Sequence, residues 1–206
     1  TVTLYDAVLQ GLKAAAAQAA RTALQAKSPE ELVNEVLIPA LDTVGAGFEK
    51  GVLFLPQLLQ SAGAAQAAFE VVKDAIAASG KKSGGKGKII VATVKGDIHD
   101  IGKNIVKTLL ENYGYDVLDL GRDVPAETVV KAAQEHGVRL VGLSALMTTT
   151  LGSMEETICA LRRAGLSCRV MVGGAVLTPE YAMHIGADYY AKDAKQSVDI
   201  AREVLG

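Results

Sequence analysis

KIIVATVKGDIHDIG, residues 88–102, joins a short apolar run to a polar loop that carries a histidine. The run Ile89–Val94 is rich in β-branched residues, which is typical of a strand buried on both faces of a parallel sheet. The residues that follow, from Gly102 to Leu110, have the apolar spacing of a helix. His99 is therefore expected on the loop at the carboxyl end of a strand, where open α/β sheets bind their ligands.

Two further loops of interest follow later strands of the same pattern. They are Ser144-Ala145-Leu146 and Gly173-Gly174, each at the end of an apolar run. Because the carboxyl ends of parallel strands meet at one edge of a sheet, the three loops are expected to converge on one crevice. In the first loop, Asp97 precedes His99 by two residues, so its carboxylate can accept one ring N–H and fix the tautomer. The other ring nitrogen is then free to bind a metal.

The second half of the chain alternates between strand and helix patterns. Strands are predicted at Ile89–Val94, Asp116–Leu120, Leu140–Leu143, Val170–Val172 and Tyr189–Ala191. Helices are predicted at about Lys103–Asn112, Ala126–His136, Ser153–Ala164, Glu180–Ile185 and Ala194–Leu205. This alternation predicts an α/β fold with a Rossmann-like (flavodoxin-like), doubly wound, five-stranded parallel sheet.

The first part of the chain has helical spacing throughout and predicts a four-helix bundle. The four predicted helices run over Leu4–Ala26, from Ser28 to Leu37, over Ala40–Lys50 and from Pro56 onward. The second begins with a capping box and should end or kink at Pro39, while Gly51 should stop the third. A stretch rich in glycine, lysine and serine follows and predicts a hinge. The expected domains are residues 1–80 and 88–206, joined by a linker over 81–87.

Composition excludes several classes of function. The 206 residues include 21 basic and 23 acidic side chains, and the net charge is −2 without a basic block, which disfavours nucleic-acid binding. No run approaches the ~18 uninterrupted apolar residues of a membrane span, and no secretory signal opens the chain. Cys159 and Cys168 lack the spacing of a metal site, so they are expected to be reduced residues of a cytoplasmic protein.

The pattern Asp97-x-His99-x-x-Gly102, then Ser144-x-Leu146, then Gly173-Gly174, resembles the cobalamin-binding fingerprint of corrinoid proteins. The resemblance implies that His99 is the lower axial ligand of cobalt, in place of the cofactor's own dimethylbenzimidazole. It also implies that Asp97 hydrogen-bonds the remote nitrogen of that ring, and that the detached nucleotide tail runs past Ser144 and over the two glycines. Further cofactor-binding positions implied by the match are Gly96, Ile98, Asp100, Ile101, Ala175 and Ala194.

The stretch Phe48–Gln57 resembles the helical cap of cobalamin-dependent methionine synthase and of the small corrinoid methyl carriers. Matching by position implies that Phe48 and Leu55 cover the upper face of the corrin and shield the methyl group. Without the resemblance, both side chains would be interpreted as core residues of the bundle.

One departure concerns the loop after the third strand. In methionine synthase the Asp–His pair is extended by a serine two residues after a threonine. Here Thr148 matches that threonine, and Thr150 replaces the serine. A threonine hydroxyl can make the same hydrogen bond with a stiffer side chain, so the sequence leaves open whether Thr150 completes the relay through Asp97 to His99.

The resemblance implies a corrinoid methyl-carrier protein whose cofactor is cobalamin, as methylcobalamin and cob(I)alamin. Its implied partners are a substrate:corrinoid methyltransferase, a corrinoid:acceptor methyltransferase that uses tetrahydrofolate or coenzyme M, and a reductive activase. The chain would then be a carrier component of the methyltransferase system and not itself the catalyst. The methyl donor (methanol, a methylamine, a betaine or an aryl methyl ether) is bound by the partner, so this sequence does not encode it.

Three alternatives share parts of the pattern. An adenosylcobalamin-dependent mutase subunit has the Asp-x-His-x-x-Gly motif but does not generally carry this cap. A cobalamin-sensing regulator adds a DNA-binding module, for which no basic recognition helix is present. A flavodoxin-like domain without metal would leave the joint spacing of the loops unexplained.

The two other histidines, His136 and His184, are expected at the surface. The loops Gly121–Pro125 and Asp188–Asp193 are expected at the ligand edge.

Overall fold

A computed structural model describes residues 2–78 and 85–206 of the chain. The described residues form two compact units, the first comprising residues up to 78 together with Asn112–Gly114 and the second the remaining residues from 85 onward. Of the linker predicted over 81–87, residues 81–84 lie outside the described part of the chain. The predicted hinge therefore stays a prediction.

The first unit is helical, as expected, but it is divided differently from the predicted bundle. Its helices are α1 (Leu4–Leu9), α2 (Lys13–Ala23), α3 (Pro29–Leu32), α4 (Ile38–Glu49) and α5 (Leu55–Ala78). The single helix predicted over Leu4–Ala26 is wrong, because the chain turns at Gly11 with a φ of +68°. A Cβ at Gly11 would lie 2.7 Å from the Cβ of Gln60, so both the backbone angle and the close approach of α5 require glycine.

Pro39 does not end the second predicted helix. A π-helical turn over Val33–Leu37 connects α3 directly to α4, and Pro39 lies in the first turn of α4. Proline has no N–H and its ring crowds the preceding turn of an ordinary helix. We attribute the wider π-helical turn just before Pro39 to this conflict, since a single π-helical turn lets the helix continue.

Two other predicted signals at the helix ends are confirmed. Ser28 and Glu31 form the reciprocal capping box at the start of α3, with distances of 2.8 and 3.2 Å. At the end of α4, Gly51 has a φ of +71°. The N–H groups of Gly51 and Val52 donate to the carbonyls of Phe48 and Gly47, which is a Schellman motif.

The second unit is the predicted α/β fold. Its strands are β1 (Lys88–Thr93), β2 (Asp116–Asp119), β3 (Leu140–Ser144), β4 (Arg169–Gly173) and β5 (Tyr189–Tyr190). Its helices are α6 (Ile101–Asn112), α7 (Ala126–His136), α8 (Leu151–Arg163), α9 (Pro179–His184) and α10 (Ala194–Leu205). All the strand pairs are parallel and the order is β2-β1-β3-β4-β5, the flavodoxin-like order.

The register of the sheet brings the ends of three strands into one row. Thr93 of β1 is opposite Ser144 of β3, which in turn is opposite Gly173 of β4. Below this row the strands are buried on both faces, and Ile90 and Val141 are fully inaccessible to solvent. The buried core thus fixes the strands, and the loops that leave Thr93, Ser144 and Gly173 start side by side at the carboxyl edge.

Candidate functional site

Asp97 is the centre of a hydrogen-bond network at the carboxyl edge of the sheet. Its side chain is 0% exposed. One carboxylate oxygen, Oδ1, accepts from the backbone N–H of His99 at 3.0 Å and lies 2.8 Å from Nδ1 of the same residue. The other, Oδ2, accepts from the backbone N–H groups of Leu146 at 2.7 Å and Met147 at 3.3 Å and from the Thr150 hydroxyl at 2.8 Å.

This network determines the charge of Asp97. Burial favours the neutral acid, but the hydrogen bonds from the Leu146 and His99 N–H groups, the His99 ring and the Thr150 hydroxyl outweigh burial. Together they hold the pKa of Asp97 far below its usual value. The carboxylate is therefore ionised at neutral pH and accepts hydrogen bonds only.

The orientation of His99 follows from that charge. Because the Asp97 carboxylate only accepts, Nδ1 of a neutral His99 ring carries the proton, and Nε2 keeps a lone pair. The imidazole is 44% exposed, while its partner is completely buried. The second unit thus presents a fixed imidazole with a basic nitrogen at the ligand edge of the sheet, which is the arrangement that metal-binding histidines need.

The loop after β3 supplies the third member of this chain of hydrogen bonds. Thr150 is buried, whereas Thr148 and Thr149 are exposed. The Thr150 hydroxyl lies within hydrogen-bond distance of both Asp97 Oδ2 and the Met147 carbonyl, 2.8 and 2.9 Å away. The structure therefore brings Thr150, Asp97 and His99 together, and it leaves Thr148 on the exposed side of the turn.

Three apolar side chains with high exposure lie in the two loops that carry His99 and bind Asp97. Ile98 and Ile101 are 61% and 77% exposed, and Leu146 is exposed as well. Gly102, in the first turn of α6, has no atom within 4 Å of the position that a Cβ would take. Asp100 lies just before α6, where its carbonyl accepts the Asn104 N–H at 2.8 Å. Exposed apolar side chains in these segments form the kind of surface that a partly apolar ligand can cover.

Ser144 and Gly173 begin the two neighbouring loops. The Ser144 side chain is half-buried, and its Oγ is 3.0 Å from the Thr93 hydroxyl, which also donates to the His99 carbonyl at 3.2 Å. Gly174 has a φ of +142°, and a Cβ there would lie 1.8 Å from the carbonyl oxygen of Ala145. The close contact between the loops after β3 and β4 therefore requires glycine at 174. This requirement comes from packing within the protein and does not depend on a ligand.

The remaining predicted positions lie at the same edge or in the first unit. Gly96 has a φ of +85°, Ala175 is exposed in the loop after β4, and Ala194 is the first residue of α10. In the first unit, Phe48 is half-buried, and Leu55 is 41% exposed beside the exposed side chains of Val52, Phe54 and Leu59. His136 and His184 are both exposed, as predicted.

Sequence reasoning did not single out two residues of the site, although it expected the Gly121–Pro125 loop, which contains Asp123, at the ligand edge. Thr93 lies in the final register row of β1 and bonds the backbone of His99. Asp123, in the loop before α7, donates its N–H to the Asp97 carbonyl at 2.9 Å and accepts the Gly96 N–H at 2.7 Å. A buried threonine ending a strand is a weak signal, but an aspartate in a loop rich in turn residues is a recognisable one.

Among the described residues, no group of three or more His, Cys, Asp or Glu side chains is placed to hold a metal ion. Cys159 and Cys168 are both free thiols. No helix in the described residues is long and apolar enough to cross a membrane.

Comparison with known proteins identifies the class of protein to which this chain belongs. Two families described as B12 binding domains match the chain, one over residues 87–199 and the other over residues 3–73. Dimethylamine corrinoid protein 1 of Methanosarcina acetivorans is 42% identical over 204 residues, which cover 98% of this chain and 95% of that protein. Dimethylamine corrinoid protein 2 of Methanosarcina mazei is also 42% identical, with the same coverage.

Two solved structures are similar over nearly the whole chain. The methanol:cobalamin methyltransferase complex of Methanosarcina barkeri contains a chain with 32% identity and a TM-score of 0.85, matched over 98% of this chain and 78% of its own. A cobalamin-binding protein of Desulfitobacterium hafniense has 32% identity and a TM-score of 0.84, matched over 98% and 97%. The chain therefore belongs to the B12-binding corrinoid protein family, and its cofactor is cobalamin.

Proposed function

We propose that this protein carries a methyl group on cobalamin between a substrate-specific methyltransferase and a second methyltransferase. The observation that carries the proposal is the Asp97–His99 pair, with an imidazole Nδ1 2.8 Å from a buried carboxylate and Nε2 left as the metal-binding atom. When bound, the cobalt of cobalamin accepts a methyl group from one compound and gives it to another. The residues of the protein hold the cofactor, orient the imidazole and manage its proton.

In this proposal Nε2 of His99 would hold the cobalt of cobalamin. Asp97 keeps the ring in the tautomer that leaves Nε2 free, and Thr150 and the Leu146 N–H keep Asp97 ionised.

The other predicted positions divide into three groups. We assign the exposed apolar residues Ile98, Ile101 and Leu146, with the open position at Gly102, to the lower side of the corrin ring. Contacts to the nucleotide tail are assigned to Ser144, Gly173, Gly174, Ala175 and Ala194, together with Gly96, Asp100 and Thr148 as nearby residues. Shielding of the methyl group is assigned to Phe48 and Leu55. The 41% exposure of Leu55 in an apolar group supports that role for Leu55.

The relatives suggest which methyl donor the system uses. The relatives cited above are named dimethylamine corrinoid proteins, and a similar solved structure is part of a methanol:cobalamin methyltransferase complex. We therefore propose a methylamine as the methyl donor of the partner enzyme. The acceptor enzyme would use tetrahydrofolate or coenzyme M, a reductive activase would serve as a third partner, and the system would act in the cytoplasm.

The test of the proposal is ligation of cobalt by His99. The protein is reconstituted with hydroxocobalamin, freed of unbound cofactor, reduced to the Co(II) state and examined by electron paramagnetic resonance. We expect the nitrogen splitting of a histidine ligand in the wild type and in His136→Ala, the matched exposed-histidine control, and its loss in His99→Ala. Unchanged splitting in His99→Ala would assign the axial ligand elsewhere, and failure to retain any corrinoid would contradict the carrier proposal altogether.

The methyl donor is tested separately. The loaded protein is first reduced chemically to the Co(I) state, which can accept a methyl group, and is then mixed with purified methyltransferases specific for dimethylamine, monomethylamine or methanol, each with its substrate. Methylation of the cofactor is followed by its absorption spectrum. Methylation with a methylamine enzyme and not with the methanol enzyme is the expected result. The reverse pattern would contradict the choice of donor and leave the carrier function intact.

A further inference from the structure

Asp123 has an unusual backbone conformation next to the site. It is the one residue other than glycine with positive φ in the described part of the chain, with a φ of +54°. Left-handed backbone is uncommon for residues other than glycine and is tolerated best by Asn and Asp. A residue keeps such a strained backbone conformation only when its contacts stabilise it, so the contacts of Asp123 indicate its role.

Those contacts all go to the segment that carries Asp97. The N–H of Asp123 donates to the Asp97 carbonyl at 2.9 Å, and its Oδ1 accepts the N–H of Gly96 at 2.7 Å. One residue therefore binds the Gly96–Asp97 dipeptide at both ends, at the N–H of Gly96 and at the carbonyl of Asp97. Gly96 itself has a φ of +85°, so this segment is in a conformation that the chain does not adopt by default.

The rest of the loop after β2 follows the same segment of chain. The Thr93 N–H donates to the Gly121 carbonyl at 2.9 Å, and the Val124 N–H donates to the Thr93 carbonyl at 3.0 Å. The loop thus extends the pairing of β1 beyond the end of the strand. The side chain of Asp97 is held by the loop after β3, and its backbone is held by Asp123.

We propose that Asp123 is a positioning residue for the axial histidine, acting through Asp97 and without contact to the metal. The inference rests on the proposed function, in which His99 binds cobalt. The direction of the Asp97 carboxylate depends on its backbone, and the Nδ1–H of His99 follows that carboxylate. Removing the side-chain contact of Asp123 with Gly96 should loosen the Asp97 backbone and weaken ligation by His99.

Two substitutions separate the contact from the backbone conformation. Asp123→Gly keeps the left-handed backbone and removes the acceptor for the Gly96 N–H. Asp123→Asn keeps both the acceptor and the tolerance of that conformation and removes only the charge. Both variants are expected to fold, which thermal unfolding of the loaded protein checks. Wild type and His99→Ala define the histidine-bound and histidine-free spectra.

The measurement is the pH dependence of the histidine nitrogen splitting in the Co(II) protein. Acid displaces the imidazole from cobalt, so a weaker bond is lost at higher pH. One hydrogen bond of ordinary strength corresponds to about five-fold weaker ligation, which moves the midpoint in Asp123→Gly upward by about 0.7 pH units. Asp123→Asn should keep the wild-type midpoint.

The possible outcomes distinguish the two proposals. A midpoint in Asp123→Gly equal to that of wild type, with splitting that disappears in His99→Ala, would overturn the role of Asp123 and leave the proposed function standing. An Asp123→Asn midpoint shifted as far as that of Asp123→Gly would also overturn it, since the charge and not the accepted bond would then matter. Absence of histidine splitting in the wild type would instead overturn the proposed function.

Discussion

Asp97 divides its two carboxylate oxygens between two tasks. Oδ1 serves His99, whereas Oδ2 is saturated by the loop after β3. A completely buried carboxylate stays charged only if such donors replace the water that it has lost. The donors to Oδ2 therefore keep Oδ1 able to orient the imidazole, although none of them touches His99.

A first prediction concerns the hydroxyl of Thr150. Thr150→Val keeps the shape of the side chain and removes the donor to Asp97 Oδ2, so we expect the free energy of unfolding to fall by about 2 kcal/mol, the value of a hydrogen bond to a charged group. Thr149→Val changes an exposed neighbour in the same way and should stay within about 0.5 kcal/mol of wild type. Urea unfolding of the cofactor-free protein measures both, and equal stabilities would contradict the relay.

At the scale of single residues, the sequence predicts the side chains proposed to bind and orient the ligand better than the residues that hold those side chains in place. Asp97 and His99 form a motif with a fixed spacing, and Thr150 was recognisable as a replacement within a known pattern. Asp123 and Thr93 act through backbone groups of other loops. Such contacts depend on register and on φ, which a single sequence does not display.

A second prediction concerns Gly174, in the loop after β4. Gly174→Ala places a Cβ 1.8 Å from the Ala145 carbonyl oxygen at a φ of +142°. We expect a loss on the order of 3 kcal/mol or more in the free energy of unfolding, with loss of cofactor retention. Gly165→Ala is the control, because Gly165 also has positive φ but open space around it, and should cost only about 1 kcal/mol. Similar losses in the two variants would refute the close approach of the two loops.

A third prediction concerns the ion pairs that join α8, β4 and β5. Asp188, just before β5, accepts from Arg162 of α8 at 2.6 Å and from Arg169 and the Val170 N–H of β4 at 3.0 and 2.8 Å. Burial opposes its ionisation, but the Val170 N–H and the two guanidinium groups outweigh burial and lower the pKa of Asp188. The stability from these contacts is therefore present above the usual pKa of an aspartate and is lost as pH falls through the lowered value.

Asp188→Asn tests this prediction. The substitution should reduce the free energy of unfolding by about 2 kcal/mol at neutral pH, and the difference from wild type should shrink in acid. Glu135→Gln, at an exposed ion pair with Lys131, should change stability by less than about 1 kcal/mol. Urea unfolding at pH 7 and at about pH 3 gives both values. A difference that stays constant with pH would mean that the charge of Asp188 is unimportant.

The helices and strands are largely predictable from the sequence, and the two helices that differ from prediction do so for local reasons. The second unit matched because alternating apolar runs and helical spacing are strong signals when the central strands, here β1, β3 and β4, are buried. In the first unit the alanine-rich stretch has helical spacing on both sides of Gly11, so the periodicity concealed a turn that α5 imposes. The π-helical turn before Pro39 was equally hidden, because its cause is a conflict between two helical segments and not a break in the pattern.

The whole molecule provides a fourth prediction, on the cofactor's nucleotide tail. A ligand bound only by the folded protein raises the free energy of unfolding by about 2.7 kcal/mol at a hundred times its Kd. At a hundred times its Kd, hydroxocobalamin should therefore raise the free energy of unfolding by about 2.7 kcal/mol. At the same concentration, cobinamide, which lacks the nucleotide tail, should raise it by less. Thermal unfolding with each compound measures the difference. Equal stabilisation would contradict a tail site along Ser144, Gly173 and Gly174.

The distribution of the site along the chain also determines when it can exist. Leu146 donates to Asp97 across 49 residues of sequence, and the glycine loop lies further on still. A chain emerging from the ribosome exposes the histidine strand long before the third and fourth strands are made. The donors that hold the Asp97 carboxylate are therefore complete only after synthesis has passed Thr150. A chain that stops before Thr150 lacks the hydroxyl of the network that orients the imidazole of His99.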